Sequence, residues 1–168
     1  QCNYSQYSSR YNKYLEGVVL AALDKNMSGG ALYDINIYNI HFVVGLFGRP
    51  KSIKYTANLG FNGIDTSGIL VLSYDGFSAV CCGAKDSESP SHATVQGIKG
   101  YIKLTSPAGV AKSVEYKVDK DIEVYNGDSN KNRMINEFVA FEKMLKEKLF
   151  EECYENLNHS LIVMEILT

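Results

Sequence analysis

No stretch of the chain approaches the roughly 20 consecutive apolar residues that a membrane-spanning helix needs. The opening segment, QCNYSQYSSRYNKY, has neither the basic start nor the apolar centre of a secretory signal. The four cysteines, Cys2, Cys81, Cys82 and Cys153, form no C-x-x-C pair. Cys81 and Cys82 fall in an apolar, strand-like run where neighbours point to opposite faces, which argues against a shared metal. Reduced, buried thiols in a cytoplasmic protein are the reading these cysteines support. An excess of charge is missing too: 17 Lys and Arg stand against 19 Asp and Glu, a net charge of -2. That balance points away from nucleic acid and from anionic membranes as partners. Internal repeats and low-complexity segments are absent. No methionine opens the chain, and no glycine or proline stops the helical pattern of HSLIVMEILT. Those ends predict a piece of a longer polypeptide.

What is present is an ordinary globular composition, 45% hydrophobic and 21% charged over 168 residues. The length suits one domain, 1–168, with a real core. Alternation predicts a first strand over Cys2–Ser8, followed by a mixed segment to Asn26. Ser28-Gly29-Gly30 breaks that segment, and a helix is predicted over Ala31–Phe47, closed by Gly48 with Pro50 just beyond.

After Pro50 the period becomes two. Strands are predicted over Ser52–Leu59, Ser67–Tyr74 and Phe77–Ala84, the last two joined by an Asp-Gly turn. His92–Ile98 and Gly100–Thr105 form a second hairpin, Lys112–Val118 a sixth strand, and Ile122–Tyr125 a short edge piece. Two helices follow, over Asn132–Lys148 and Asn156–Leu167. Met134, Phe138, Phe141 and Leu145 recur at helical spacing and read as a core-facing stripe. The order implies an α+β fold: a mostly antiparallel open β-sheet with helices packed on one face.

The stretch GGALYDINIYNIHF carries the chemistry. Asp34, Tyr38 and His41 are spaced i, i+4, i+7, which puts all three on one face of a regular helix. The bland readings are a first-turn aspartate favoured by the helix dipole, a buried aromatic with a satisfied hydroxyl, and a packed histidine.

SGGALYDINIY, followed by GLFGRPKSI and then NGIDTSG, resembles the C-terminal domain of the glucose–fructose oxidoreductase / inositol dehydrogenase (Gfo/Idh/MocA) family. The segments QYSSRYNKYLEG, NRMINEFVAFEKML and LNHSLIVMEIL are similar as well, so the resemblance runs through nearly the whole chain. The family pattern is a Gly-Gly entry, then Asp-x-Gly-x-His or Tyr, found here as Gly29, Gly30, Asp34, Asn36 and Tyr38. Tyr38 stands where many members have histidine, which places the chain with the tyrosine branch. Asn36 replaces the usual glycine.

The resemblance implies a two-domain enzyme transferring a hydride between NAD or NADP and a sugar, polyol or diol. In such an enzyme a preceding Rossmann domain binds the cofactor and supplies a lysine. This sequence has no G-x-G-x-x-G opening a helix and no Glu-Lys-Pro. Gly97 and Gly100 lie between strands and fail the phosphate-loop context. By the resemblance, Asp34 and Tyr38 are the catalytic contribution of this domain. Arg10 and Tyr11, in a loop bordering the substrate pocket, are substrate-binding candidates, with His41 one turn further along the helix face. A phenol, with an ordinary pKa near 10, needs a nearby cation to act as a base. The apolar sheet face left over predicts a homodimer or homotetramer. The alternative is a non-enzymatic dimerisation or ligand-binding module.

Overall fold

The computed structural model describes residues 1–127 and 134–168. Eight strands form one sheet in the order β2-β3-β4-β1-β5-β6-β7-β8. They are β1 Cys2–Ser5, β2 Ser52–Leu59, β3 Asp65–Tyr74, β4 Phe77–Ala84, β5 His92–Gly97, β6 Gly100–Leu104, β7 Ser113–Val118 and β8 Asp121–Asn126. Every pairing is antiparallel except one: β1 lies parallel to β4, with Cys2 opposite Cys81 and Ser5 opposite Ala84. The Asp75–Gly76 turn joins β3 to β4 with Tyr74 paired to Phe77, and Gly76 takes the left-handed φ of 80° that such a tight turn asks of glycine.

The predicted first strand is shorter than its alternation suggested. After Ser5 the chain leaves the sheet, and a short helix α1, Tyr11–Leu15, follows. The edge strand β8 is a full six residues, paired along its length with β7.

The helix expected over Ala31–Phe47 is two structures. A wide π-helical turn covers Leu32–Asn36, and the regular helix α2 runs Ile37–Phe47. Its start is held by a distant side chain: the Asp65 carboxylate accepts from Leu32 N at 2.6 Å and from the Tyr55 hydroxyl at 2.6 Å. The Gly-Gly entry has a steric cause. A Cβ on Gly29 would lie 2.6 Å from Ala21 O, and one on Gly30, where φ is +99°, would lie 2.0 Å from Asp65 Oδ1.

The core lies between α2 and the centre of the sheet. Leu70, Leu72, Cys81 and Ala79 of the sheet meet Ile40, Val43 and Val44 of α2, with Val163, Ile166 and Leu167 from α4, Phe150–Leu167. Each side chain so buried is worth about 1.5–3 kcal/mol relative to exposure. Cys81 is buried and its neighbour Cys82 only partly so, the facing that alternation requires, and all four cysteines are free thiols.

One expectation fails. Helix α3, Ile135–Glu147, buries none of its residues. Phe138, Phe141 and Leu145 are each more than 60% exposed and Met134 is half exposed, because α3 packs against α4 and not against the sheet. The start predicted at Asn132 lies outside the described residues. Among those residues, no helix is long and apolar enough to cross a membrane.

Candidate functional site

Where the parallel strands β1 and β4 end, the chain opens a cleft of about 320 Å³. The loop after β1 supplies Gln6, Tyr7, Ser8, Ser9 and Arg10, and the π-helical turn and α2 supply Asp34, Ile35 and Tyr38. The residue after β4, Lys85, forms part of the same wall. The lining is predominantly polar, with hydroxyls, an amide, a guanidinium and a carboxylate converging on a small volume.

Asp34 and Tyr38 meet here. Asp34 Oδ2 accepts a hydrogen bond and ion pair from Lys85 Nζ, and the Asp34 side chain stays half exposed while that of Lys85 is only 2% exposed. Lys85 also donates to Ala22 O at 2.8 Å. Among the described residues the Tyr38 hydroxyl has no hydrogen-bond partner, and the side chain is about half exposed. Its ring packs 5.9 Å from that of Tyr4. The backbone at Gly109 closes over it: a Cβ there would lie 2.9 Å from Tyr38 Cδ1. The ring is clamped and the oxygen left free.

The other candidates are distributed differently. Arg10 reaches the cleft from the start of α1. Tyr11 lies next to it and turns the other way, stacking on Tyr14 and meeting Tyr7 edge-on. Burial, and then the Asp86 carboxylate, push the Tyr11 phenol above its ordinary range, so it is a hydroxyl that stays protonated. His41 is not among the residues around the cleft. Its Nδ1 is 2.8 Å from His159 Nε2 across the α2–α4 contact. The wide turn before α2 holds more residues than an α-turn and changes the phase of everything after it. That is why a spacing that aligns three residues on a regular helix keeps only Asp34 and Tyr38 together here.

Lys85 was not singled out from the sequence, yet a signal was there. Ala79, Cys81 and Gly83 form the buried phase of β4, and Lys85 continues that phase just beyond the strand end. A lysine in the inward phase of an apolar strand demands a partner. The next residue, Asp86, is not that partner. Burial would raise its pKa, but hydrogen bonds from Thr66 at 2.6 Å, Ser67 at 2.8 Å and Ser87 at 2.9 Å outweigh this and lower it.

The chain's glycines build no phosphate cradle: Gly97 and Gly100 are paired across the β5–β6 hairpin and open no helix. Among the described residues no cluster of His, Cys, Asp and Glu is placed to hold a metal.

Comparison with known proteins gives this geometry a family. The model of the GFO/IDH/MocA C-terminal domain matches residues 6–103. The chain is 35% identical over 168 residues to scyllo-inositol 2-dehydrogenase (NADP(+)) IolU of Bacillus subtilis (strain 168), covering 98% of this chain and 50% of that protein. It is 31% identical over 166 residues to the uncharacterized oxidoreductase YgjR of Escherichia coli (strain K12), covering 99% of this chain and 50% of that one. The chain thus spans about half the length of the curated relatives it matches. Among solved structures, aldose-aldose oxidoreductase from Caulobacter crescentus, complexed with glycerol, superposes with a TM-score of 0.67 at 14% identity, over 88% of this chain and 44% of that one. At that identity the likeness shows the fold alone.

Proposed function

The chain belongs to the GFO/IDH/MocA family, as its C-terminal domain, and on that premise we propose that residues 1–168 are the substrate-binding and dimerising domain of an NAD(P)-dependent oxidoreductase acting on a polyol or sugar. The observation that carries the reading is the convergence of an ion-paired carboxylate, Asp34, and an unpartnered phenol, Tyr38, in one polar cleft. When bound, the nicotinamide accepts or supplies the hydride; this chain's glycines do not hold its phosphates, so the dinucleotide rests on other sequence. The NADP(+) in the name of the Bacillus subtilis relative supports NADP over NAD.

The residues divide the remaining tasks. As the carbinol becomes a carbonyl its hydroxyl proton leaves, and the Tyr38 oxygen is the group free to take it, returning it in the reducing direction. Asp34 accepts a hydrogen bond from a neighbouring substrate hydroxyl through the oxygen that Lys85 leaves open. Gln6, Ser8, Ser9 and Arg10 offer further donors and acceptors at the rim. So many polar groups suit a substrate hydroxylated all round, such as an inositol or a sugar, better than a diol on an apolar ring, which would leave them unpaired.

The test is turnover of scyllo-inositol and a hexose panel by the intact gene product, with NADP+ and NAD+ compared. Asp34→Asn and Tyr38→Phe should each lower kcat by about 10²-fold or more, the range for a positioned acid–base group, while the far-ultraviolet circular dichroism stays unchanged. A non-enzymatic module predicts no turnover by any form and no effect of either substitution on assembly.

A further inference from the structure

Lys85 is 1% exposed, one of the most deeply buried ionisable side chains in the chain, and its only hydrogen-bond partners among the described residues are Asp34 Oδ2 and Ala22 O. Ala22 O also accepts from Gly30 N at 3.1 Å. One carbonyl therefore anchors both the Gly-Gly entry to the π-helical turn and the ammonium that grips the carboxylate on that turn.

The pair is lopsided. The ammonium is sunk in protein while the carboxylate it holds is half exposed. As a tie for stability this is a poor arrangement, since desolvating an ammonium costs several kcal/mol and an apolar side chain of similar length fills the same volume without that cost. What a buried cation does that an apolar side chain cannot is keep an adjacent carboxylate ionised and aimed.

We propose that Lys85 is a positioning residue for the reaction: from beneath the cleft it fixes Asp34 by one oxygen and presents the other, as a carboxylate, to the substrate. This rests on the reading of Asp34 and Tyr38 as the reacting groups. Any cation that a second domain brings to the cleft then meets an Asp34 already oriented from within this chain.

The experiment uses the intact gene product with scyllo-inositol and NADP+ as the probe pair, measuring kcat, KM and the pH profile. Lys85→Met, near in size and uncharged, should lower kcat at least tenfold. It should also move the acid limb of kcat/KM up by about one pH unit or more, because the carboxylate has lost its opposite charge. In an Asp34→Asn background the same change should cost no more than about twofold, since two residues acting through one group are not additive. Where Lys85→Met does not fold, by circular dichroism and thermal melting, Lys85→Gln takes its place, keeping a donor for Ala22 O without the charge.

An unmoved acid limb, or an equal loss in both backgrounds, overturns the proposal. The two readings fail separately: an Asp34→Asn protein with full turnover removes the reacting pair, whereas a dead Asp34→Asn protein beside a fully active Lys85→Met protein removes only the role of Lys85. A wild-type protein that turns over neither scyllo-inositol nor any hexose removes both.

Discussion

Asn36 stands where the family pattern has glycine, and in the fold it is a staple. Its Nδ2 donates to Cys81 O at 3.1 Å, and its Oδ1 accepts from Asn39 Nδ2, which also donates to Cys82 O at 3.0 Å. Both asparagines are buried, and they fasten the π-helical turn and the first turn of α2 to β4. The side chain fits because β4 has glycine opposite: a Cβ on Gly83 would lie 2.9 Å from Asn36 Cβ. Asn36→Ala strips Cys81 O and the Asn39 amide of a partner in a dry site, so it should cost about 1–3 kcal/mol. Urea denaturation with an unchanged m-value is the measurement. A neutral result means that water reaches the amide pair.

Asp34 and Tyr38 were legible because a helical period puts i and i+4 together whether the turn is regular or wide. Lys85 was not, because the partner that explains it lies 51 residues earlier in the chain and no local pattern spans that gap.

Among the elements, α2 and α4 are joined by a histidine pair whose behaviour with pH has a definite sign. Burial, and then the neighbouring His159, lower the pKa of His41 below the ordinary 6.5. The unfolded chain therefore takes up its proton first as pH falls. The stabilisation is full above about 6.5 and is lost as pH drops toward the lower folded value. The α2–α4 contact should accordingly weaken in mild acid, read as a melting temperature that falls between pH 7.5 and 5.5. His41→Phe, which cannot protonate, should flatten that slope. An equally steep slope in the variant would assign the acid sensitivity to other groups. Sequence spacing placed His41 with the catalytic face because it assumed one helical phase from Ala31 onward. The wide turn, set where Asp65 caps Leu32 N from another strand, is invisible to a local period.

At the scale of the whole molecule, two surfaces are left apolar. One is the sheet face opposite α2, where Ile69 and Cys82 pair across β3 and β4, with Val71 opposite Val80 beside them. We propose that this face is where two copies meet, since a contiguous apolar stripe rimmed by polar residues marks an interface. Val71→Lys should convert a dimer of the intact protein to a monomer in sedimentation, with little change in the cleft on the other side. An unchanged oligomer would place the contact elsewhere. The second surface is the α3 stripe of Phe138, Phe141 and Leu145. Its periodicity was right about amphipathicity and wrong about what the apolar side faces, because a hydrophobic period records that a face is to be covered and not which body covers it.

The sequence by itself determined the strand and helix order, the α+β class, the Gly-Gly entry and the Asp34–Tyr38 pair. All of these follow from short-range periods and turn chemistry. Tertiary structure alone decided that β1 inserts parallel to β4, that a wide turn carries His41 away to His159, and that Lys85 sits under Asp34. Those depend on contacts between segments far apart in the chain, where the cost of burying a charge or an amide is met only by a partner that folding brings near.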